Sequence, residues 1–223
     1  MSNSSTPNIG GTMNFVHHAI THGLEQAKIR SIIFRGAGYT NATVRDGFEI
    51  YVRTLGMVIN AHLASEDHVV YQYLKSKLPD APYDELSAEH QQMDVILAEL
   101  QNAAGALANQ DQDNATLENL NRIVTSLIDL WNPHIAKEQL YLYEPALTAT
   151  VMNAEEHLQL IQDAAKHSLE QGNPALMLPF LLYNLEPDER ANMASSLPPE
   201  FLEEMIPKVW KPQWWPMEPF LLD

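Results

Sequence analysis

Residues 117–142, LENLNRIVTSLIDLWNPHIAKEQLYL, place apolar side chains at Leu117, Leu120, Val124, Leu127, Trp131 and Leu142. Steps of three and four mark one face of an α-helix. His134 and Glu138 fall in the same register, so a stripe that should enter a core carries an imidazole and, one turn later, a carboxylate. Pro133 lies inside the repeat. The phase is kept across it, so a kink is expected; the other reading is a new helix capped by Asn132 with Pro133 at its first position.

Three earlier segments repeat the theme. One stripe runs Phe48, Tyr51, Leu55, Val58/Ile59, His62, Glu66, Val69, Tyr73, and a second runs Leu86, His90, Met93/Asp94, Leu97, Leu100. A third runs Met13, His17, Ile20, Leu24, Ala27 and favours His17, with His18, which aligns with the polar face, as the alternative; His22 is expected in solvent. No segment alternates with period two. The spacing predicts helices over about 12–34, 44–78, 87–108, 116–143 and 152–171, joined by short connections and a polar loop at 109–114. The fold class is therefore all-α, an up-down-up-down four-helix bundle over 12–150. Residues 1–11 read as a disordered polar leader. Residues 151–223 read as a helical extension with an extended Trp-rich tail packed on the bundle, since most prolines and three of the four tryptophans follow Gly172.

Composition narrows the function. Thirteen Lys and Arg against 29 Asp and Glu leave a net charge of −16. That balance disfavours nucleic acid and anionic membrane surfaces, which recruit basic faces. No cysteine is present, which excludes disulfides, zinc-thiolate sites, iron–sulfur clusters and thiol nucleophiles. No secretory signal and no membrane-spanning run is apparent, so a soluble cytoplasmic protein is expected. Gly36-Ala37-Gly38 is a weak nucleotide-loop signal, because no strand precedes it and Asn41 stands where a third glycine belongs.

Three His-x-x-x-Asp/Glu pairs, His62/Glu66, His90/Asp94 and His134/Glu138, only mildly exceed the roughly one expected by chance. Their placement on separate core-facing stripes carries the weight. A buried carboxylate without a partner costs several kcal/mol or is forced neutral, and Lys and Arg are too scarce on these stripes to neutralise them. A cation between the helices resolves the conflict. Imidazole and carboxylate without sulfur suit iron or manganese, in a dinuclear centre bridged by Glu66 and Glu138, better than structural zinc. Neither Glu-x-x-His nor His-Glu-x-x-His occurs in the chain.

Phe15-Val16-His17, His62-x-x-x-Glu66, Glu89-His90 and His134-x-x-x-Glu138 together resemble the hemerythrin-like, or HHE cation-binding, domains. The doublet Glu66-Asp67 and the ending Leu142-Tyr143-Glu144-Pro145-Ala146-Leu147 are similar too. The resemblance implies a non-haem di-iron site with His17, His62, His90 and His134 as terminal ligands and Glu66 and Glu138 as bridges. It also implies dioxygen as partner. The oxygen-carrying members have a second histidine in the third helix where this chain has Asp94. That departure leans toward oxidation of a small-molecule substrate or iron handling, and leaves Asp94 as a ligand, a partner to an imidazole, or a solvated residue.

Two functions follow as expectations. One is a di-iron protein that binds or activates dioxygen, with Tyr51, Tyr73 and Tyr141 near the ligand faces. The other is an iron- or redox-responsive regulatory module that presents its aromatic tail to a partner.

Overall fold

The first helix begins earlier than its apolar stripe suggests. In the computed structural model, which describes residues 8–108 and 114–222, α1 spans Ile9–Ala37, and the Asn8 side chain accepts the Gly11 N–H as its cap. Ile9 and Gly10 are buried, so residues 9–11, expected in the leader, belong to the helix. Residues 1–7 of that leader, and residues 109–113 of the expected polar loop, lie outside the described residues. Gly10 is required here because a Cβ would run into the Tyr143 carbonyl.

Next come α2 (Ala42–Ser65), a π-helical turn (Glu66–Val70) and a last helical turn, α3 (Tyr71–Leu74). The third long helix, α4 (Tyr83–Ala108), starts directly after Pro82, four residues before the expected Ser87, because Tyr83 and Leu86 are already buried. The fourth, α5 (Asn114–Glu138), runs unbroken through Pro133, whose exposed ring faces solvent. A second π-helical turn (Gln139–Tyr143) follows it.

These long helices form the bundle. α1 packs chiefly on α5, while α4 packs on both α2 and α5. α1 and α2 touch over a shorter stretch, and later elements cover their seam. Those are α6 (Pro145–Val151), α7 (Ala154–Glu170), α8 (Pro174–Tyr183), α9 (Pro187–Ala194), a π-helical segment (Phe201–Val209), α10 (Lys211–Trp214) and a 3₁₀ segment (Trp215–Phe220). The Trp-rich tail is thus a series of helical turns rather than extended chain.

The extension packs because of its composition. α8, PALMLPFLLY, is apolar on every side, and a helix of that kind has no face for water. Its Phe180 sits against Gly23 and Leu55, where a Cβ on Gly23 would come within 2.7 Å of the ring. Phe220 packs its ring on Phe34, Phe48 and Tyr51. Trp214 stacks on Tyr183 and donates its indole N–H to the Ile206 carbonyl at 2.8 Å. Trp215 stays about half exposed beneath Lys211.

α7 also fixes the start of α1. Asn153 caps α7 in a reciprocal box with Glu156. One turn on, the buried His157 accepts the Ile9 N–H on its Nδ1 at 3.2 Å. Burial lowers the His157 pKa, against the nearby Glu156 charge. The unfolded chain therefore takes up a proton near pH 6.5 that the folded chain takes up only at lower pH. Stability from this group is complete above that value and falls as the pH drops below it, by at most about 1.4 kcal/mol per pH unit. His157→Gln keeps an acceptor and cannot titrate. Urea unfolding at pH 7 and pH 5 is expected to show a smaller acid destabilisation in the variant.

Candidate metal centre

Six side chains from four helices converge between the bundle layers. His17 comes from α1, His62 from the last turn of α2, His90 from α4 and His134 from α5; Glu66 opens the first π-turn and Glu138 closes α5. All six are buried. The His17 Nε2 lies 3.3 Å from Glu138 Oε2 and 3.8 Å from Glu66 Oε1. The His62 Nε2 lies 3.2 Å, and the His90 Nε2 3.5 Å, from Glu66 Oε2. His134 Nε2 lies 3.4 Å from Glu138 Oε2. Trp131 packs edge-on to His17 and His62, held by its N–H to Thr21 Oγ1 at 2.9 Å.

Outer carboxylates orient two of the rings. Asp67 accepts from His90 Nδ1 at 3.0 Å and is itself held by the Ser87 hydroxyl. Glu89 accepts from His134 Nδ1 at 2.9 Å and pairs with Lys137. With Nδ1 protonated in both rings, the neutral imidazoles turn bare Nε2 lone pairs toward each other at 3.0 Å. Only a proton or a metal ion in that space makes the approach favourable.

Without a cation the cluster supplies its own protons. Burial opposes the charged form of His134, but Glu138, Glu66 and Glu89 outweigh it and hold its pKa up at about 9. Burial, then the His17 charge, push His62 down. Burial and the Glu138 charge push Glu66 well up. Burial resists ionisation of Glu138 too, yet His134 and His17 keep it low. A bound cation would displace the protons on His134 and Glu66 together. Among the described residues, the ion-pair partners of both glutamates are histidines, with no Lys or Arg.

Asp94 is not brought to the cluster. The buried face of α4 runs Leu86, His90, Met93, Leu97, Leu100, stepping from His90 by three, so the residue four along falls on the flank and is exposed. His18 is exposed and pairs with Glu189 at 2.6 Å, away from the centre.

The tyrosines differ from those expected. Tyr51 donates to Asn184, Tyr73 donates to Glu156, and Tyr141 is exposed. The buried tyrosines at the centre are Tyr71, which donates to Glu138 Oε1, and Tyr143, which donates to Glu66 Oε1 at 2.7 Å. Both lie five residues after a glutamate. In a regular α-helix that spacing turns a side chain about 140° away, but each pair spans a π-turn, which widens the helical repeat and restores alignment. The repeated Glu-x-x-x-x-Tyr was the available signal.

The donors fit a pair of metal ions. Glu66, Glu138, His17 and His62 form one group with ligand atoms within 4.8 Å of one another; Glu66, Glu138, His90 and His134 form another. His17 Nε2, His62 Nε2, Glu66 Oε2 and Glu138 Oε2 are buried with no hydrogen-bond partner. Orphaned atoms of four different residues facing one space fit a bound cation. Comparison with known proteins agrees: the family model of the Hemerythrin HHE cation binding domain matches residues 12–146. No curated protein and no solved structure matches the chain.

Proposed function

We propose that this chain, which belongs to the hemerythrin HHE cation-binding family, holds two iron ions and uses them in oxidation chemistry with dioxygen. The observation that carries the reading is the pair of buried four-residue groups sharing both Glu66 and Glu138. Two shared carboxylates suit a dinuclear centre, and nitrogen and oxygen donors without sulfur suit iron, with manganese as the nearest competitor. Held there, a pair of ferrous ions would supply electrons to dioxygen.

The chain's own residues set the rest. Four imidazoles and two carboxylates would give each ion charged oxygen donors beside its nitrogens, and the exposed Asp94 adds no nitrogen in place of a further histidine. Carboxylate donors favour the ferric state, which supports oxidation over reversible carriage. The burial of all six side chains excludes bulk water and suits a reactant as small as dioxygen. Asp67 and Glu89 hold His90 and His134 in the tautomer that leaves Nε2 free to ligate.

The test is metal analysis with an optical spectrum of anaerobically reduced, iron-loaded protein before and after air. About two irons per chain passing irreversibly to a ferric spectrum is the expected result. A band that disappears when oxygen is removed would make the protein a carrier, and absence of bound metal would overturn the whole reading.

A further inference from the structure

The chain contains one unit twice: His62-x-x-x-Glu66-x-x-x-x-Tyr71 and His134-x-x-x-Glu138-x-x-x-x-Tyr143. Each copy carries its π-turn between glutamate and tyrosine. The copies also cross-pair, since Tyr71 of the first donates to Glu138 of the second, and Tyr143 of the second donates to Glu66 of the first. The arrangement is close to two-fold, and its departure from symmetry is informative.

Tyr71 touches more than a carboxylate. Its hydroxyl oxygen also lies 3.3 Å from His90 Nε2, and its ring stacks on the His90 imidazole with centroids 5.5 Å apart. That nitrogen is the ligating one, because Asp67 occupies Nδ1. The same nitrogen lies 3.0 Å from His134 Nε2 and 3.5 Å from Glu66 Oε2. The Tyr71 oxygen thus borders the space that the Glu66–His90–His134–Glu138 group encloses. Tyr143 does not match it: its hydroxyl reaches Glu66, and its ring is tilted by 56° to that of His17 instead of stacked on it.

We propose that Tyr71 is itself an oxygen donor to the ion at the His90–His134 position, making the two metal positions chemically unequal. The inference rests on the di-iron reading above. Tyr71 gives up its phenol proton to solvent as it ligates, so one proton leaves for each oxygen–metal bond formed. The His90–His134 ion then has two imidazoles, two shared carboxylates and a phenolate, while the His17–His62 ion has the imidazoles and carboxylates alone. A phenolate is a hard anionic donor, so Tyr71 favours the ferric state at its own position.

The experiment loads the full chain with ferric iron and records the visible spectrum and iron content of one sample. A phenolate on ferric iron produces a visible charge-transfer band. Tyr71→Phe is expected to lose that band while keeping about two irons per chain, and Tyr143→Phe is expected to keep both. A wild-type sample with two irons and no such band, or a band that survives in Tyr71→Phe, overturns the inference and leaves the di-iron reading standing. A sample without iron overturns the di-iron reading itself, and this inference with it. Should Tyr71→Phe not fold, resonance Raman spectra of wild-type and Tyr143→Phe protein grown on ring-deuterated tyrosine decide the matter. Shifted phenolate modes in both support Tyr71, and their absence from either overturns it.

Discussion

Exchange of Glu66 for glutamine is expected to empty both metal positions while leaving the metal-free fold nearly unchanged. Glu66 belongs to both four-residue groups, so its loss removes a charged donor from each ion at once. The amide keeps a carbonyl for the Tyr143 hydroxyl but adds no charge to offset a cation. Metal content should fall from about two ions per chain to close to none. The metal-free protein behaves differently. Burial and the Glu138 charge already push Glu66 toward its protonated form, and glutamine has nearly the shape of a protonated carboxyl. The cost to metal-free stability should stay below about 1 kcal/mol. Metal analysis after gel filtration and urea unfolding of the metal-free protein separate the two effects. A variant that retained one ion per chain would show that Glu66 serves a single position.

The contrast explains what could be read from the chain alone. His17, His62, His90 and His134 interrupt apolar stripes of regular helix, so counting by three and four was enough to bring them to one place. Glu66 directly follows the regular part of its helix and Glu138 closes its own, so both were legible for the same reason. Immediately beyond each, the chain enters a π-turn and the count slips. Regular spacing therefore put Tyr73 and Tyr141 at the centre, where the structure has Tyr71 and Tyr143. Asp94 failed for the opposite reason: α4 stays regular, and its buried face steps to Met93 instead. Asp67 and Glu89 stood in the sequence only as neighbours of ligands, with no role of their own, because each acts from the edge of its helix, next to the ligand it follows or precedes. The start of α1 depends on His157 and on the close pass of Gly10 by Tyr143, contacts between residues more than a hundred positions apart. No local pattern announces such contacts.

The seam between α1 and α2 is where the extension should prove indispensable, and Phe180→Ala measures it. Phe180 is fully buried, with its ring 5.1 Å from that of Tyr51 and, like Leu55, pressed against Gly23. Loss of a buried phenylalanine side chain costs about 3–5 kcal/mol, and the upper part of that range applies where the walls cannot close in. One wall here is Gly23, which has no side chain to fill the hole. In a chain of this size such a loss should lower the melting temperature by roughly 10 °C or more. The sharper expectation concerns cooperativity. Ile20 and Leu24 of α1, Leu55 of α2, Leu127 of α5, Phe180 of α8 and Phe220 at the end of the tail belong to one continuous apolar core. Bundle and extension should therefore unfold together, with tryptophan fluorescence, dominated by Trp210, Trp214 and Trp215, shifting in step with far-ultraviolet circular dichroism. Metal content should stay unchanged under folding conditions, because Phe180 packs on Gly23 and Tyr51, neither of which is a donor. If the fluorescence transition came first and helical content followed at higher urea, the extension would be a separately folding appendage, and the seam would not be part of what holds the bundle closed.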